Sequence, residues 1–152
     1  ARRTQQDKDR SRFEPVTWAM AERGWRMTAA DHLLAVQDMQ QVSRDVAHFF
    51  NAVDVWLTPT LGTPPLPFQS FERSHDNRRE LAESTLRSIE FTRIANVTGQ
   101  PAMSVPLYWN VQGLPIGVHF SARFGDEATL FRLAAQLEEA RPWVNKRPPI
   151  YA

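Results

Sequence analysis

Pro101-Ala102-Met103-Ser104-Val105-Pro106-Leu107 and Leu114-Pro115-Ile116-Gly117-Val118-His119-Phe120, joined through the polar, glycine-ended Asn110-Val111-Gln112-Gly113, decide how the chain is read. Each flank is a short apolar run, and the connection carries the residues a tight turn demands, so the spacing predicts a β-hairpin at about 102–121. Ile116, Val118 and Phe120 alternate onto one face, as a half-buried strand requires. Pro106 and Pro115 cannot donate to a ladder, so parts of both strands are expected to lack a partner.

Helices are expected on both sides of this hairpin. Upstream, a helix from about Asn77 to Val97 is ended by Gly99, suited to a left-handed cap, with Pro101 just beyond. Downstream, Asp126 is a good N-cap with Glu127 behind it, where the helix dipole favours negative charge. That helix presents Leu130, Leu133, Ala134 and Leu137 on one face, and Arg141-Pro142 ends it. Further out, Asp54-Val55-Trp56-Leu57-Thr58-Pro59-Thr60 reads as a strand stopped by a proline. Four prolines between positions 59 and 67 make residues 60–75 an irregular loop, of a length that is often functional.

The clearest helix runs from about Ala29 to Asn51. Thr28 and Asp31 stand at capping-box spacing, with Asp in place of the usual Glu or Gln. Ala35, Met39, Val42, Val46, Phe49 and Val53 recur at alternating steps of four and three, so this helix must lie against something large. A shorter helix is expected over Pro15–Arg23, with Pro15 in its first turn and Gly24 at its stop. Residues 1–13 form a polar arm, and the proline-rich tail from Trp143 is expected to lie along a surface. Alternating helices and strands give an α/β fold.

Composition narrows the function classes. The 152 residues are 42% hydrophobic and 23% charged, near globular averages, which argues against wholesale disorder. No uncharged apolar run approaches the roughly 18–20 residues needed to cross a bilayer. The absence of cysteine excludes disulfides, thiolate nucleophiles and cysteine-ligated metals. A net charge of +1 points to neither nucleic acid nor membrane as partner, and the cytoplasm is the expected location. Sixteen arginines against Lys8 and Lys146 read as codon bias. The chain opens on Ala1 with no obvious starting element, as a piece of something longer would.

The residues alone assemble no complete catalytic constellation. His32, His48, His75 and His119 are far apart, with no metal-ligand spacing, and no metal or cofactor is expected. The six glycines form no phosphate loop, and there is no Gly-x-Ser-x-Gly elbow. Ser104 lies inside a strand, where a hydroxyl ordinarily satisfies backbone. Lys8 and Lys146 sit in the arm and the tail, where neither is desolvated beside a serine. Glu138-Glu139, Asp7/Asp9 and Glu80/Glu83 read as solvated faces.

A resemblance supplies what the chemistry lacks. Phe91-Thr92-Arg93-Ile94-Ala95-Asn96-Val97-Thr98-Gly99-Gln100-Pro101-Ala102-Met103-Ser104-Val105-Pro106 resembles the C-terminal part of the amidase signature family. Gly113–Val118, Asp126–Leu130, the strand Asp54–Thr60 and the terminal Glu138–Trp143 continue that pattern, the last resembling bacterial amidases of the 6-aminohexanoate cyclic-dimer hydrolase type. The likeness runs in order over roughly residues 14–148. It implies late strands that complete a mixed sheet covered by helices, and hydrolysis of a carboxamide by acyl transfer through a serine, a cis-peptide serine and a lysine. Those three residues belong to a glycine- and serine-rich core that has no counterpart here, so no catalytic residue is assigned to this chain. The resemblance thus implies a C-terminal portion, 14–152, that would be inactive alone and would meet the remaining N-terminal part and a small amide substrate, in a possible homodimer. Leu86, Ile89, Glu90 and Arg93, spaced as one helix face, are the expected pocket residues, and the Thr58–Phe71 loop is a second wall. Two other readings stay open: a non-catalytic interaction domain, and part of an amidotransferase A-type subunit that works on aminoacyl-tRNA.

Overall fold

The computed structural model describes residues 9–65 and 78–148. Two compact units, Ala1–Asp38 and Met39–Ala152, divide within one long helix. Of the expected polar arm, residues 1–8 lie outside the described residues, and Arg10–Arg12 form a single 3-10 turn capped by the Asp9 side chain. Pro15 opens helix α1 (Pro15–Gly24) at its first turn, where a missing N–H costs nothing. The Trp18 ring packs between Phe13 and Trp25, at centroid distances of 5.8 and 5.5 Å. Trp18 Nε1 donates to Glu22 one turn on, at 2.7 Å.

Helix α2 (Ala29–Phe49) begins with the reciprocal bonds its sequence implies. Thr28 N–H donates to the Asp31 carboxylate at 2.8 Å, and Asp31 N–H donates to the Thr28 hydroxyl at 3.1 Å. The shorter aspartate therefore closes the box. These bonds stabilise the charged form and hold the Asp31 carboxyl below its ordinary pKa. The apolar stripe of α2 is largely open: Met39, Val42 and Phe49 stay 47%, 44% and 44% exposed. At its end the helix meets the sheet, where Phe49 packs on Trp56 at 5.3 Å and Phe50 is buried.

The sheet is three-stranded in the order β1–β3–β2, with β1 Val55–Pro59, β2 Ala102–Trp109 and β3 Pro115–Ala122. Every pairing among the described strands is antiparallel, so a mixed sheet would need parallel strands from beyond them. The hairpin turn is tied by Asn110, whose Oδ1 accepts from Gln112 and Leu114 N–H at 3.0 and 2.9 Å, while Gly113 takes φ +76°. The prolines fall where a ladder tolerates them: Pro59 ends an edge strand, Pro115 begins the central one, and Pro106 borders a register shift.

Alternation gives the sheet two unlike faces. Val105, Phe120 and Ala122 point to one side and close a core with Leu130 of helix α5 (Glu127–Ala140), joined by Val55, Met103, Leu133, Leu137 and Trp143. Asp126 caps α5 through Thr129, and the tail docks back, with Trp143 in the core and the Lys146 ammonium 5.5 Å from the Trp109 ring. The opposite side carries Trp56 and Thr58 of β1, Gly117, His119 and Ser121 of β3, and Ser104 of β2.

The single helix expected over 77–97 is two: α3 (Arg78–Ser88) and α4 (Thr92–Thr98), with residues 89–91 as a turn. Hydroxyls around the break reach back to the main chain, Ser88 Oγ to the Ser84 carbonyl at 3.0 Å and Thr92 Oγ1 to that of Ile89 at 3.3 Å. Such back-bonding competes with helical continuation and bends helices. The Ser88 carbonyl, moreover, accepts a bond from another segment, Gly62 N–H at 3.2 Å. Gly99 ends α4 at φ +72°, in the left-handed conformation its position demands.

Candidate functional site

The polar face of the sheet and the loop after β1 build one site. Thr58, His119 and Ser104 stand side by side across β1, β3 and β2, in the same row of the ladder. Thr58 Oγ1 and His119 Nδ1 are 3.2 Å apart, and His119 is buried. Burial pushes the imidazole pKa below its ordinary value, so the ring is neutral near pH 7.

One step along the strands, Thr60 and Ser104 reach towards each other over the middle strand, and their hydroxyl oxygens lie 2.6 Å apart. Gly117 makes this possible, because a Cβ there would sit 2.5 Å from both hydroxyl oxygens. Thr60 N–H donates to the Gly117 carbonyl at 3.0 Å, so the chain leaves β1 still tied to the sheet. Ser104 does not satisfy backbone as a strand hydroxyl ordinarily does; it bonds a threonine from a segment 44 residues away instead. Its partner is a hydroxyl and not a base, so the pair gives Ser104 no means of becoming a nucleophile.

Beyond Thr60 the loop turns against the helix break. Gly62 lies so close to the Arg87 carbonyl that a side chain would strike it, and the Thr63 and Ser88 hydroxyls meet at 3.2 Å. Between this loop and the end of the sheet lies an open cavity of about 290 Å³, just below the roughly 300–1,000 Å³ usual for small-molecule sites. Thr60 and Ser104 line it on the polar side, and Leu61, Pro64, Pro65 and Ile116 supply apolar wall.

The helix break redistributes the four residues expected on one face. Leu86 lies on α3, Ile89 and Glu90 in the turn, and Arg93 on α4, all four exposed. The structure therefore does not set them on one continuous helix. It does bring Glu90 to the loop, its carboxylate 3.7 Å from the position a Gly62 Cβ would take. None of the four lines the cavity; the second expected wall, Thr58–Phe71, does so through residues 60–65. Its remainder, 66–71, lies outside the described residues. Among the described residues no three His, Asp or Glu cluster as a metal would need, and no helix is long and apolar enough to cross a membrane.

A hairpin, a broken helix and a proline loop around one hydroxyl pair can be compared with known proteins. The Amidase family model matches residues 2–131. The chain belongs to the amidase family. The protein named AmiC of Mycobacterium leprae is 38% identical over 113 residues, which are 73% of this chain and 23% of that protein. The 6-aminohexanoate-cyclic-dimer hydrolase of Pseudomonas sp. strain NK87 is 33% identical over 143 residues, 90% of this chain and 29% of the hydrolase.

Solved structures agree on the fold. A 6-aminohexanoate cyclic dimer hydrolase complexed with substrate superimposes with a TM-score of 0.86 at 29% identity, over 95% of this chain and 31% of that one. The A-type subunit of the glutamyl-tRNA(Gln) amidotransferase from Thermotoga maritima superimposes with a TM-score of 0.64 at 25% identity, over 88% of this chain and 27% of that protein. The amidase chain thus spans between 23% and 31% of the length of these relatives.

Proposed function

We infer that this amidase chain is the C-terminal portion of an enzyme that hydrolyses a carboxamide to a carboxylate and an amine or ammonia. The observation that carries the reading is the match of nearly the whole chain to a cyclic dimer hydrolase of which it covers under a third. A serine nucleophile, a cis-peptide serine and a lysine base would reside in the remaining two thirds, the acyl group passing to the serine and then to water. The C-terminal portion completes the sheet and walls the substrate pocket, and alone it would not turn over. The remaining part of the enzyme is the occupant best suited to the open stripe Met39–Val42–Phe49. The cytoplasm is the location that goes with this reading, and no cofactor enters it.

Leu86, Ile89, Glu90 and Arg93 keep a role at the pocket edge in this proposal. Support comes from the contact between the helix break, which holds Ile89 and Glu90, and the cavity loop at Gly62. The enzyme that contains this chain, assayed on linear and cyclic amides of graded acyl size, should hydrolyse a subset of them. Ile89→Trp should shift kcat/KM from large acyl groups to small ones. Unchanged kinetics across the series would remove Ile89 from the pocket, and no hydrolysis of any amide would remove the function.

The second reading, an amidotransferase A-type subunit, is favoured by the likeness to the Thermotoga protein. It requires partner subunits, which would co-purify with the enzyme.

A further inference from the structure

The loop that walls the cavity is tied to the fold on both sides of one apolar residue. On one side, Thr60 N–H donates to the Gly117 carbonyl at 3.0 Å, and the Thr60 hydroxyl meets that of Ser104 at 2.6 Å. On the other, Ser88 holds two successive loop residues. Its carbonyl accepts from Gly62 N–H at 3.2 Å, and its hydroxyl lies 3.2 Å from that of Thr63. Ser88 Oγ gives its single proton to the Ser84 carbonyl, so in the Thr63–Ser88 pair the threonine donates. The residue between the two ties is Leu61. Pro64 and Pro65 follow, and their rings fix φ and stiffen the way out of the turn. Leu61 lines the cavity and is 42% exposed, so these hydrogen bonds hold an apolar residue where an entering molecule would meet it.

We propose that Leu61 is a specificity-determining residue of the amidase, a fixed stop for the apolar part of the amide substrate, and that Ser88 is the residue that positions it. The inference rests on the amidase reading above. A wall free to shift accepts groups of several sizes, whereas a wall pinned from both ends discriminates between them. In an apolar pocket a difference of one methylene changes kcat/KM by roughly 10–200-fold, so a leucine at the stop has contact enough to select. Leu61 meets the substrate itself, and Ser88 acts through Gly62 and Thr63.

The test uses the intact enzyme that contains this chain and two series of amides, one graded in the size of the acyl group and one in the size of the group on the amide nitrogen. In one of the two series, Leu61→Ala should raise kcat/KM for a bulky member relative to a small one by about tenfold or more, and Leu61→Phe should move the same ratio the other way. Ser88→Ala keeps the carbonyl that binds Gly62 but loses the hydroxyl that binds Thr63, and should flatten the size preference in that same series. Ser88→Thr, which keeps a hydroxyl, should retain it. The ratio is the deciding readout, because a loss of folded enzyme lowers both members alike. Native ratios for both Leu61 variants in both series overturn the inference. A Ser88→Ala enzyme with the native ratio overturns the positioning role, as does a preference that Ser88→Thr fails to retain. Failure of the native enzyme to hydrolyse any member of either series overturns the amidase reading itself, a result distinct from hydrolysis with unaltered preference.

Discussion

The two ends of the second unit are finished to different degrees. Where α5 crosses the sheet, apolar side chains from β2, β3 and the helix bury one another, and Phe120, Ala122, Val105 and Leu130 are at most 6% exposed. Along α2, a stripe of equal periodicity leaves Met39, Val42 and Phe49 nearly half in water. Burial of apolar surface drives folding, so the first region supplies its own stability and the second holds surface that a further partner would cover. The contrast explains how one chain can carry a well-formed core and a site at its margin while remaining a portion of a family fold.

The largest effect should come from the closed region. Phe120→Ala removes a buried ring from between strands and helix, and should cost about 3–5 kcal/mol of stability in chemical denaturation. Met39→Ala on the open stripe should cost less than about 1 kcal/mol in the chain alone. A much larger Met39 effect in the intact enzyme than in the chain would sharpen the contrast. Equal effects of the two substitutions in the chain would erase it.

An intermediate effect is expected where the loop meets the helix break. Gly62→Ala drives a methyl group into the Arg87 carbonyl oxygen, which is backbone and cannot swing aside. A cost of about 1–3 kcal/mol is expected, typical of overpacking. Loss of the Gly62–Ser88 hydrogen bond should speed amide exchange at position 62. Native stability with native exchange would show that the loop does not rest on the helix as described.

The smallest effect is a pH dependence on the polar face. His119 has its pKa held below the ordinary 6.5 by burial, so the folded chain stays neutral where the unfolded chain already binds a proton. Its contribution is complete above pH 6.5 and is lost as the pH falls from there through the lower folded value. His119→Gln can still bond Thr58 but cannot titrate, and should flatten the stability profile in that window. An unchanged profile would assign the acid sensitivity elsewhere.

Local chemistry made much of the fold legible in the sequence. Thr28 with Asp31, Gly99 before Pro101, and Asp126 before Glu127 each mark a helix end by local chemistry, and the structure caps a helix at all three. The hairpin was equally local, because Asn110 ties its own turn. The helix break escaped because periodicity carries Leu86 to Arg93 through without interruption. Only the cluster Ser84, Ser88 and Thr92 hinted at hydroxyls that compete with the helix, and the Gly62 contact that occupies the Ser88 carbonyl comes from 26 residues away. The Thr60–Ser104 pair was hidden for the same reason. It exists through the strand order β1–β3–β2 and the missing side chain of Gly117, neither of which a linear pattern displays.

The central claim is that these residues serve an enzyme that transfers the acyl group of a carboxamide. Its most direct test is to give the intact enzyme an amide together with hydroxylamine and to measure the hydroxamate formed. The account predicts hydroxamate at the expense of free acid, because an acyl-enzyme is shared between water and the added nucleophile. Steady release of amine with no hydroxamate at any hydroxylamine concentration would contradict it.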